Sequence, residues 1–554
     1  MTKLDEIRAE KLVQLARDRF DPDLSEAELK VLRDSAGSLL PEDPEDGAAR
    51  PAIRPGLVRW LATDTEASAN IDPGGLRILG ATILGPLNLR GARVAVIISC
   101  FRCTFSGEID LRSAETRGIL FTECTAPQTG IRGDRLLTHG PLLFRRCQFG
   151  GQIRMLGVHI EGNLDGSGAE LTSGGISLAL DRAEIAGNVV LASDHAGAGD
   201  GPDRTDRFLS SGTIRLNNAR IAGQLMCSGA KLAGDGRALV LDGAEIQGSV
   251  YLDKGLDAAG AISLAGSKIA GDLAFSGARI ATVYCANMDL LRDLIWQGIE
   301  KSDQTRLFLG GARMRNLRDD RASWPNKGEV DLDGLTYEEL TLHEPPTSEE
   351  VRNSAYGSEL PLVAEERIEW LMLQPRDQQS EPQPWMFLFK HLVAKGDRKG
   401  ANHVLYIFRR LEARKSWLLW RWYRYLFAWL EEAPQRIGWF IGLTLLLFTC
   451  IFWHAGAKGA LAPTEKDAYE AFVSGKRMPA VYPTLNPFIY TLENALPLVR
   501  LGQDDKWAPD PRFPSKNFST NYWFLMWTRW VLVIWGWFQA GILGAAIVER
   551  FKPK

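Results

Sequence analysis

A pattern of alternating apolar residues recurs in the middle of the chain and constrains the fold more than any other feature. Each copy has Ala, Ser or Val, then Ile, Gly, and Leu or Val at every second position. The copies contain Ile83, Ile160, Ile185, Ile221, Ile246 and Ile269. Successive copies are 77, 25, 36, 25 and 23 residues apart. A period of about 25 residues explains these spacings if 77 is three coils and 36 is one coil with an insertion.

Alternation at every second residue indicates β-strands, and so short a period leaves no room for a crossover helix between parallel strands. The chain must therefore wind as a solenoid, with apolar side chains stacked inward and Arg220, Glu245 and Lys268 pointing outward. We predict a mainly β fold, with a right-handed parallel β-helix over about residues 76–342. The pattern resembles the pentapeptide-repeat proteins and their looser β-helical relatives, although the regular five-residue register of that family is absent.

Helices are predicted on both sides of the coils, because the open ends of a solenoid need a cover. Ser25 and Glu28 form a capping box before the first of them. The predicted helices cover residues 29–39, 54–62, 365–373, 385–394 and 398–415, with the break between the last two at Gly396-Asp397. A last coil is expected around Trp324 and Tyr337.

Two apolar stretches, residues 437–456 and 530–548, lie near the C-terminus. A helix of about 20 residues covers the roughly 30 Å hydrocarbon core of a bilayer, so we predict a two-helix transmembrane hairpin. Basic residues lie outside both spans, at Lys415, Arg421, Arg424, Arg436, Arg550, Lys552 and Lys554. This bias predicts a multi-pass protein with both termini in the cytoplasm. The charged first residues show no sign of a signal peptide.

Charge is divided unevenly along the 554 residues. Residues 1–360 carry 40 basic and 51 acidic side chains, a net charge of −11, whereas residues 361–554 carry 25 and 17, a net charge of +8. The part next to the predicted spans is therefore the basic one. The seven cysteines show no disulfide framework, which fits a reducing cytoplasm and a packing role.

Structural motifs follow one another in a characteristic order: a helical lid, coils, Ser323-Trp324-Pro325, Leu335-Thr336-Tyr337, Pro382-Gln383-Pro384 and two spans. This order resembles a bacterial family of membrane-linked β-helical proteins, and the resemblance covers nearly the whole chain. It implies a location in the bacterial inner membrane. Members are often called pentapeptide-repeat-like proteins or membrane-associated oxidoreductases.

Residues that would support an oxidoreductase are not found. Gly197, Gly199 and Gly201 lack the strand-to-helix context of a dinucleotide fingerprint. On a strand, the odd spacing of Cys100 and Cys103 directs the two side chains to opposite faces, against zinc or redox chemistry. We therefore predict no enzymatic activity, no cofactor and no metal.

An insertion in the coils also contains possible calcium ligands. These are Asp194, His195, Asp200, Asp203 and Asp206. Their spacing matches no standard calcium loop, so a solvated loop is the preferred interpretation.

An aromatic and basic segment precedes the first span. Aromatic rings prefer the membrane interface, and each basic residue there gains about 1 kcal/mol against anionic lipid. We predict an interfacial helix that contains Trp417, Trp420, Arg421, Trp422, Arg424 and Trp429. Nucleic-acid binding is a competing use of these residue types, but the adjacent bilayer already accounts for both.

The loop between the spans, residues 457–529, contains a second apolar run at 487–501. A run of about 15 residues is too short to span a bilayer but long enough for a re-entrant or interfacial segment. The order of span, short helix, glycine turn with carboxylates and span is similar to that of two-span cation channels. The pore candidates are Thr491, Glu493, Asn494, Leu498, Val499, Arg500, Leu501, Gly502, Gln503, Asp504 and Asp505.

The channel resemblance departs from the potassium-selective type, because Arg500 lies where a cation would be repelled. A helix that rests on the membrane surface is the alternative for this run. A pore requires a homo-oligomer, since two helices cannot enclose a channel. Gly438 and Gly442, and Gly541 with Ala545, offer surfaces for close helix packing.

These observations predict four domains: a helical cap at 1–70, a β-helix at 71–345, a helical juxtamembrane region at 346–436 and a hairpin at 437–554. We expect a non-enzymatic inner-membrane protein whose cytoplasmic β-helix binds an unknown protein or small molecule, and whose hairpin oligomerises, with ion conduction as the leading hypothesis. A membrane-anchored scaffold without conduction is the alternative. A third is an enzyme with a site in the β-helix groove.

Overall fold

The computed structural model describes residues 3–20, 24–37, 50–194, 207–343, 359–360, 364–414, 425, 435–496, 499–514 and 517–551. It consists of two compact units, Met1–Val404 and Leu405–Lys554. The first is a parallel β-solenoid with helices before and after it, and one of its sheets has 11 strands, one for each turn. The second is mainly helical. The predicted fold class is confirmed, while the handedness of the solenoid stays a prediction.

Four helices precede the coils: α1 (Lys3–Phe20), α2 (Glu26–Ala36), α3 (Pro55–Thr63) and α4 (Thr65–Ala69). The predicted capping box is confirmed, because Ser25 Oγ accepts the Glu28 N–H at 3.2 Å and the Glu28 carboxylate accepts the Ser25 N–H at 3.1 Å. This box makes Ser25 the N-cap, so α2 begins and ends three residues earlier than predicted. Glu28 also accepts the Arg54 Nε at 2.8 Å, which joins α2 to the start of α3.

Before the last three turns, each full turn of the solenoid contains four short strands, here numbered along the chain, which pair in parallel with the strands of the neighbouring turns. The first sheet contains β1 (Ala52–Ile53), β3 (Thr82–Ile83), β7 (Thr104–Phe105), β11 (Thr125–Ala126), β15 (Gln148–Phe149), β19 (Glu170–Leu171), β23 (Leu209–Ser210), β27 (Lys231–Leu232), β31 (Asp257–Ala258) and β35 (Arg279–Ile280). The second contains β4 (Leu87–Asn88), β8 (Ile109–Asp110), β12 (Ile131–Arg132), β16 (Ile153–Arg154), β20 (Ile176–Ala179), β24 (Thr213–Arg215), β28 (Arg237–Val240), β32 (Ala261–Ser263), β36 (Thr282–Tyr284), β38 (Arg306–Phe308) and β40 (Val330–Asp331).

The third sheet has two ladders that meet at a corner. One ladder contains β2 (Leu76–Leu79), β6 (Ile98–Phe101), β10 (Ile119–Thr122), β14 (Leu142–Arg145), β18 (Leu164–Asp165), β22 (Val189–Val190), β26 (Leu225–Met226), β30 (Val250–Tyr251) and β34 (Leu273–Ala274). The other contains β5 (Arg93–Val94), β9 (Glu115–Thr116), β13 (Leu137–Thr138), β17 (His159–Ile160), β21 (Glu184–Ile185), β25 (Arg220–Ile221), β29 (Glu245–Ile246) and β33 (Lys268–Ile269). In the last three turns the ladders merge into the eight-residue strands β37 (Asp289–Trp296), β39 (Arg313–Asp320) and β41 (Thr336–His343).

Five of the six predicted repeats lie in exact register. Ile160, Ile185, Ile221, Ile246 and Ile269 pair in succession and fill one buried ladder. The sixth assignment is wrong, because Ile83 pairs with Phe105 in the first sheet. Val94 occupies the corresponding position of the ladder of Ile160. The spacing of 77 residues is therefore not a whole number of turns.

The outward positions of this ladder alternate in charge. Glu184 pairs with His159 Nδ1 at 3.3 Å and with the Arg220 guanidinium at 3.2 Å. Glu245 lies 3.7 Å from both Arg220 and Lys268. The predicted outward direction of these side chains is confirmed. Each exposed ion pair adds at most about 1 kcal/mol to the stability of the fold. The alternating charges therefore favour the correct register of the strands more than they raise the overall stability.

Glycines form the corner between the two ladders of the third sheet. They are Gly162, Gly187, Gly223, Gly248 and Gly271. The last four each donate the N–H to the carbonyl of the glycine one turn earlier, for example Gly248 to Gly223 at 3.0 Å. A Cβ at Gly248 would lie 2.5 Å from the Gly223 oxygen, which is closer than any normal contact. The corner therefore requires glycine for its lack of a side chain.

The C-terminal end of the solenoid is closed by β42 (Glu359–Leu360) and by the helices α5 (Ala364–Leu371) and α6 (Pro382–Ala394). The Tyr337 ring packs edge-to-face on Phe387 of α6, with 4.9 Å between centroids. Arg367 of α5 donates two hydrogen bonds to Asp319 of β39, at 2.8 and 2.7 Å, and both side chains are fully buried. Gly396, with φ +86°, ends α6 before α7 (Arg398–Arg414), as predicted.

The second unit contains four helices after residue 434: α8 (Gln435–Ala457), α9 (Lys466–Val473), α10 (Pro487–Ala495) and α11 (Tyr522–Phe551). A two-stranded antiparallel sheet, β43 (Leu461–Pro463) with β44 (Trp507–Pro509), links the segments on either side of α10. The buried core of this unit includes Phe452, Leu461, Tyr490, Trp507 and Leu525.

One helix of the described residues is long and apolar enough to cross a membrane, over Gly438–Ala457 of α8. Only 11% of the residues in the most apolar stretch of this helix are buried. The core helix of a soluble protein would be mostly buried. The second predicted span falls within α11, but the side chains of residues 542–550 lie outside the described part. The two-span topology therefore stays a prediction.

Candidate pore segment of the second unit

Helix α10 begins at a strong start signal. Pro487 occupies the first turn, and Asn486 Oδ1 accepts the N–H groups of Phe488 and Ile489 at 3.1 and 3.2 Å. The helix ends after nine residues at Ala495, well short of the apolar run that extends to residue 501. Residues 499–504, which follow this helix, have no regular secondary structure, and we call them the return segment.

Helix α10 packs against both long helices of the unit. On one side, the Tyr490 ring meets Phe452 of α8 edge-to-face, with 5.0 Å between centroids. On the other side, Gly536 of α11 lies so close to the Ala495 carbonyl that any Cβ at position 536 would overlap it. The short helix thus packs against both long helices, which also contact each other through Phe440 and Trp535 at 5.8 Å between ring centroids.

A buried carboxylate holds the return segment against α10. Glu493 accepts four backbone N–H groups, from Leu501 at 2.8 Å, Gly502 at 3.0 Å, Gln503 at 2.7 Å and Asp504 at 2.9 Å. Burial alone would raise the pKa of Glu493, but these four donors outweigh burial and lower its pKa from the ordinary 4.5. The carboxylate is therefore charged at neutral pH and fixes the path of the chain after α10.

Arg529 ties the same region to α11. Its Nε donates to Asn494 Oδ1 at 2.9 Å, and its guanidinium pairs with the Asp504 carboxylate. One arginine thus connects the last turn of α10, the return segment and α11. The far end of the segment is anchored by Gln503, whose side chain bonds to the Asn486 N–H at 3.0 Å and to the Thr484 carbonyl at 3.2 Å.

The predicted pore candidates fall into two groups. Five side chains point inward or take part in the polar contacts: Thr491, Glu493, Asn494, Gln503 and Asp504. The outward group, which is exposed, consists of Val499, Arg500, Leu501, Gly502 and Asp505. Leu498 lies outside the described residues, as do all six predicted interface residues, Trp417, Trp420, Arg421, Trp422, Arg424 and Trp429.

The predicted packing glycines lie on open helix surface. A Cβ at Gly438, Gly442 or Gly541 would meet nothing within 4 Å in this chain, and the side chain of Ala545 is not described. Their role between copies stays a prediction. The glycine that a close contact does require is Gly536, which the sequence pattern did not single out.

Two residues of the site were missed from the sequence. Arg529 interrupts a long apolar run, and a charge in such a position is a recognisable signal of a polar partner. Gln539 of α11 bonds to Thr444 of α8 at 2.6 Å, and it too is a polar residue within an apolar stretch. Both signals identify a residue that needs a partner, without identifying the partner.

Of the other candidate chemical sites, the structure describes Asp194 and the cysteine pair. Asp194 is buried and forms ion pairs with Arg145 at 3.1 Å and with Arg146 at 2.9 Å, so it joins two turns of the solenoid. Residues 195–206 lie outside the described range. The predicted divergence of Cys100 and Cys103 is wrong, because the left-handed backbone of Arg102, at φ 50°, turns both thiols into the core. No group of three potential metal ligands occurs in the residues the structure describes.

The chain matches no protein-family model, no curated protein and no solved structure.

Proposed function

We propose that the second unit is the conducting part of a homo-oligomeric membrane channel and that the β-solenoid is its cytoplasmic binding domain. In this proposal α8 and α11 both cross the bacterial inner membrane, and both chain termini lie in the cytoplasm. Helix α10 acts as a short pore helix, and residues 499–504 line the ion path. The observation that carries the proposal is the packing of α10 against both long helices, with a return segment held by Glu493.

Exposed apolar surface supports an assembly in lipid. Trp439, Leu443 and Trp453 of α8 are 80%, 67% and 65% exposed in a single chain. In a bilayer, lipid or other copies of the chain cover such a surface. Val499 and Leu501 are also exposed, on the segment that leaves α10. In the proposed oligomer they face neighbouring copies or the pore.

The charges of the return segment favour a pore of low selectivity. The Asp504 carboxylate is neutralised by Arg529, while Arg500 and Asp505 are exposed and have opposite charges. A ring of one charge sign is the usual basis of charge selectivity, and this segment does not provide one. We therefore expect similar permeation of small cations and anions and no preference for potassium.

Ion flux through liposomes that contain the purified full-length protein tests the proposal. Glu493→Gln removes the charged acceptor of four N–H groups and should reduce the flux about tenfold or more, since losing one charge-assisted bond costs roughly 1.5–3 kcal/mol. Glu470→Gln is the matched control, because Glu470 is exposed on α9. Replacement of residues 487–505 by a Gly/Ser loop should abolish the flux.

The outcome separates two functions. Flux that persists in Glu470→Gln and falls in the other two variants supports a channel formed at this segment. No flux from a folded wild-type oligomer, or equal flux from the loop-replaced variant, contradicts the channel and leaves a membrane-anchored scaffold. Cross-linking in detergent provides the check that the protein used is oligomeric.

A further inference from the structure

The glycine corner of the solenoid is lost in its last three turns. At the position equivalent to Gly271, β37 carries Arg292, and Leu291 replaces the preceding Ala270. The register between β37 and β39 shifts at this point: Leu291 and Arg292 of β37 together face the single residue Arg315 of β39. This is a β-bulge, and bulges redirect side chains and bend the strand.

A polar cleft of about 470 Å³ lies at this bulge. Its lining comes from four successive turns, with Asp272 before the bulge, Arg292 and Asp293 at it, Arg315 and Arg318 in the next turn, and Glu339 in the last turn. A cleft of this volume is in the range of small-molecule sites, which span roughly 300–1,000 Å³. It is much larger than a single inorganic ion needs.

The charges in the cleft are only partly neutralised. Arg318 pairs with Asp293 at 2.8 Å. Glu339 pairs at 2.8 Å with Lys395, which follows α6. Arg315 forms a long and exposed ion pair with Glu338 at 3.7 Å, so solvent screens it strongly. Arg292 is exposed and has no ion pair within the described residues. Arg292 and Arg315 are thus the guanidinium groups of the cleft that protein carboxylates hold least tightly, and a ligand can engage both.

Other groups in the cleft suit the polar part of a ligand. Asp272 Oδ1 accepts the Asp293 N–H at 3.3 Å, a long bond that leaves its second oxygen available as an acceptor. Asn316 is nearly buried, and its amide oxygen accepts the Thr341 hydroxyl at 3.2 Å. A carboxylate and an amide beside two arginines can bind a molecule that has both an anionic group and hydrogen-bond donors.

We propose that this cleft binds a phosphate-bearing small molecule of about nucleotide size. Guanidinium groups bind phosphate oxygens in a bidentate manner, and Arg292 and Arg315 are the groups positioned to do so. A nucleic-acid strand is disfavoured, because residues 1–360 carry a net charge of −11. The proposal concerns the solenoid alone and does not depend on ion conduction by the second unit.

Isothermal titration calorimetry on the full-length protein in detergent tests this assignment. The probes are ATP, inorganic pyrophosphate, adenosine and sulfate at constant ionic strength. ATP and pyrophosphate should bind, and adenosine should not. ATP should bind about tenfold or more tightly than sulfate, because only ATP fills the cleft and engages both arginines.

The double substitution Arg292→Ala with Arg315→Ala should weaken ATP binding by about tenfold or more. Both side chains are exposed, so the variant should keep the circular dichroism of the wild type. Arg117→Ala is the matched control, because Arg117 is an exposed arginine several turns away. Unchanged ATP binding in the double variant, no binding of ATP by the folded wild type, or equal affinity for sulfate and ATP would each overturn the proposal.

Discussion

Replacing Gly248 by alanine tests the packing of the glycine corner. Gly248 lies in the middle of the corner ladder, and its N–H donates to the Gly223 carbonyl at 3.0 Å. A Cβ at this position would lie 2.5 Å from the Gly223 oxygen and 2.7 Å from its carbonyl carbon. Both atoms belong to the backbone of the neighbouring turn, so no side-chain rotation can relieve the overlap.

The cost follows from what must move. Overpacking in a tight region costs about 1–3 kcal/mol. Moving the two turns apart also weakens the Gly248 to Gly223 bond, which adds roughly 0.5–1.5 kcal/mol. Alanine recovers about 0.4–1 kcal/mol by restricting the unfolded chain. The free energy of unfolding should therefore fall by about 0.5–4 kcal/mol, with about 2.3 kcal/mol as the central value.

Chemical unfolding of the full-length protein in detergent, followed by far-ultraviolet circular dichroism, measures this change. Gly174→Ala is the control, because a Cβ at exposed Gly174 meets nothing within 4 Å and its backbone is not left-handed. Hydrogen exchange should show the loss of protection near residue 248, since turns of a solenoid interact mainly with their neighbours. A Gly248→Ala variant as stable as Gly174→Ala would refute the corner argument.

Three further predictions concern buried ionisable groups. Asp319→Asn leaves Arg367 buried without an anion and should cost about 3–5 kcal/mol in unfolding experiments; Arg367→Met should cost less, because Asp319 keeps the Trp324 indole N–H as a donor at 3.0 Å. Burial raises the pKa of Cys227 and Cys285 to about 12, so mass spectrometry should find both thiols unalkylated by iodoacetamide in the folded protein at neutral pH. The pKa of Glu493 is lower in the folded protein than its ordinary value of 4.5, despite burial. The charged carboxylate therefore stabilises the fold above pH 4.5, and this stabilisation is lost as the pH falls through the lower pKa of the folded state. Hydrogen exchange of residues 499–504 should accelerate over that acidic range, and Glu493→Gln should remove the pH dependence.

Much of the solenoid could be predicted because the same residue types, isoleucine and glycine, recur at matching positions of successive turns. Ile160, Ile185 and Ile221 each precede a corner glycine by two residues, so both the ladder and the corner can be aligned from the sequence. The error at Ile83 has a physical cause. The four strands of most turns bury similar apolar residues, so alternation alone does not show which of the ladders a strand joins.

The cysteine pair shows a second limit of sequence patterns. The spacing of Cys100 and Cys103 places their side chains on opposite faces only if one strand continues from the first to the second. The chain instead turns a corner at Arg102, a non-glycine residue in left-handed conformation. Arginine gives no local signal for such a turn, whereas the corner at Gly248 can be recognised from its residue type.

The candidate pore segment was predicted as a region and not as a set of contacts. The apolar run and Asn486-Pro487 indicate a short helix in the sequence. The partners of Glu493 are backbone groups 8 to 11 residues later, in a segment without periodicity. Backbone N–H donors cannot be recognised from the side chains of a sequence. The contacts of Glu493 therefore become visible only in the folded structure.

The cleft shows how departures from a repeat identify a site. A solenoid repeats the same packing in every turn, so a substitution that removes the corner glycine must change the local shape. The segment Leu290–Leu294 keeps the apolar positions of the repeat but replaces glycine and its neighbour by Arg292 and Leu291. Exposed Leu291 and Arg292 add nothing to the buried core. A bulge that costs packing and places an arginine beside an open cleft is better explained by ligand binding than by stability.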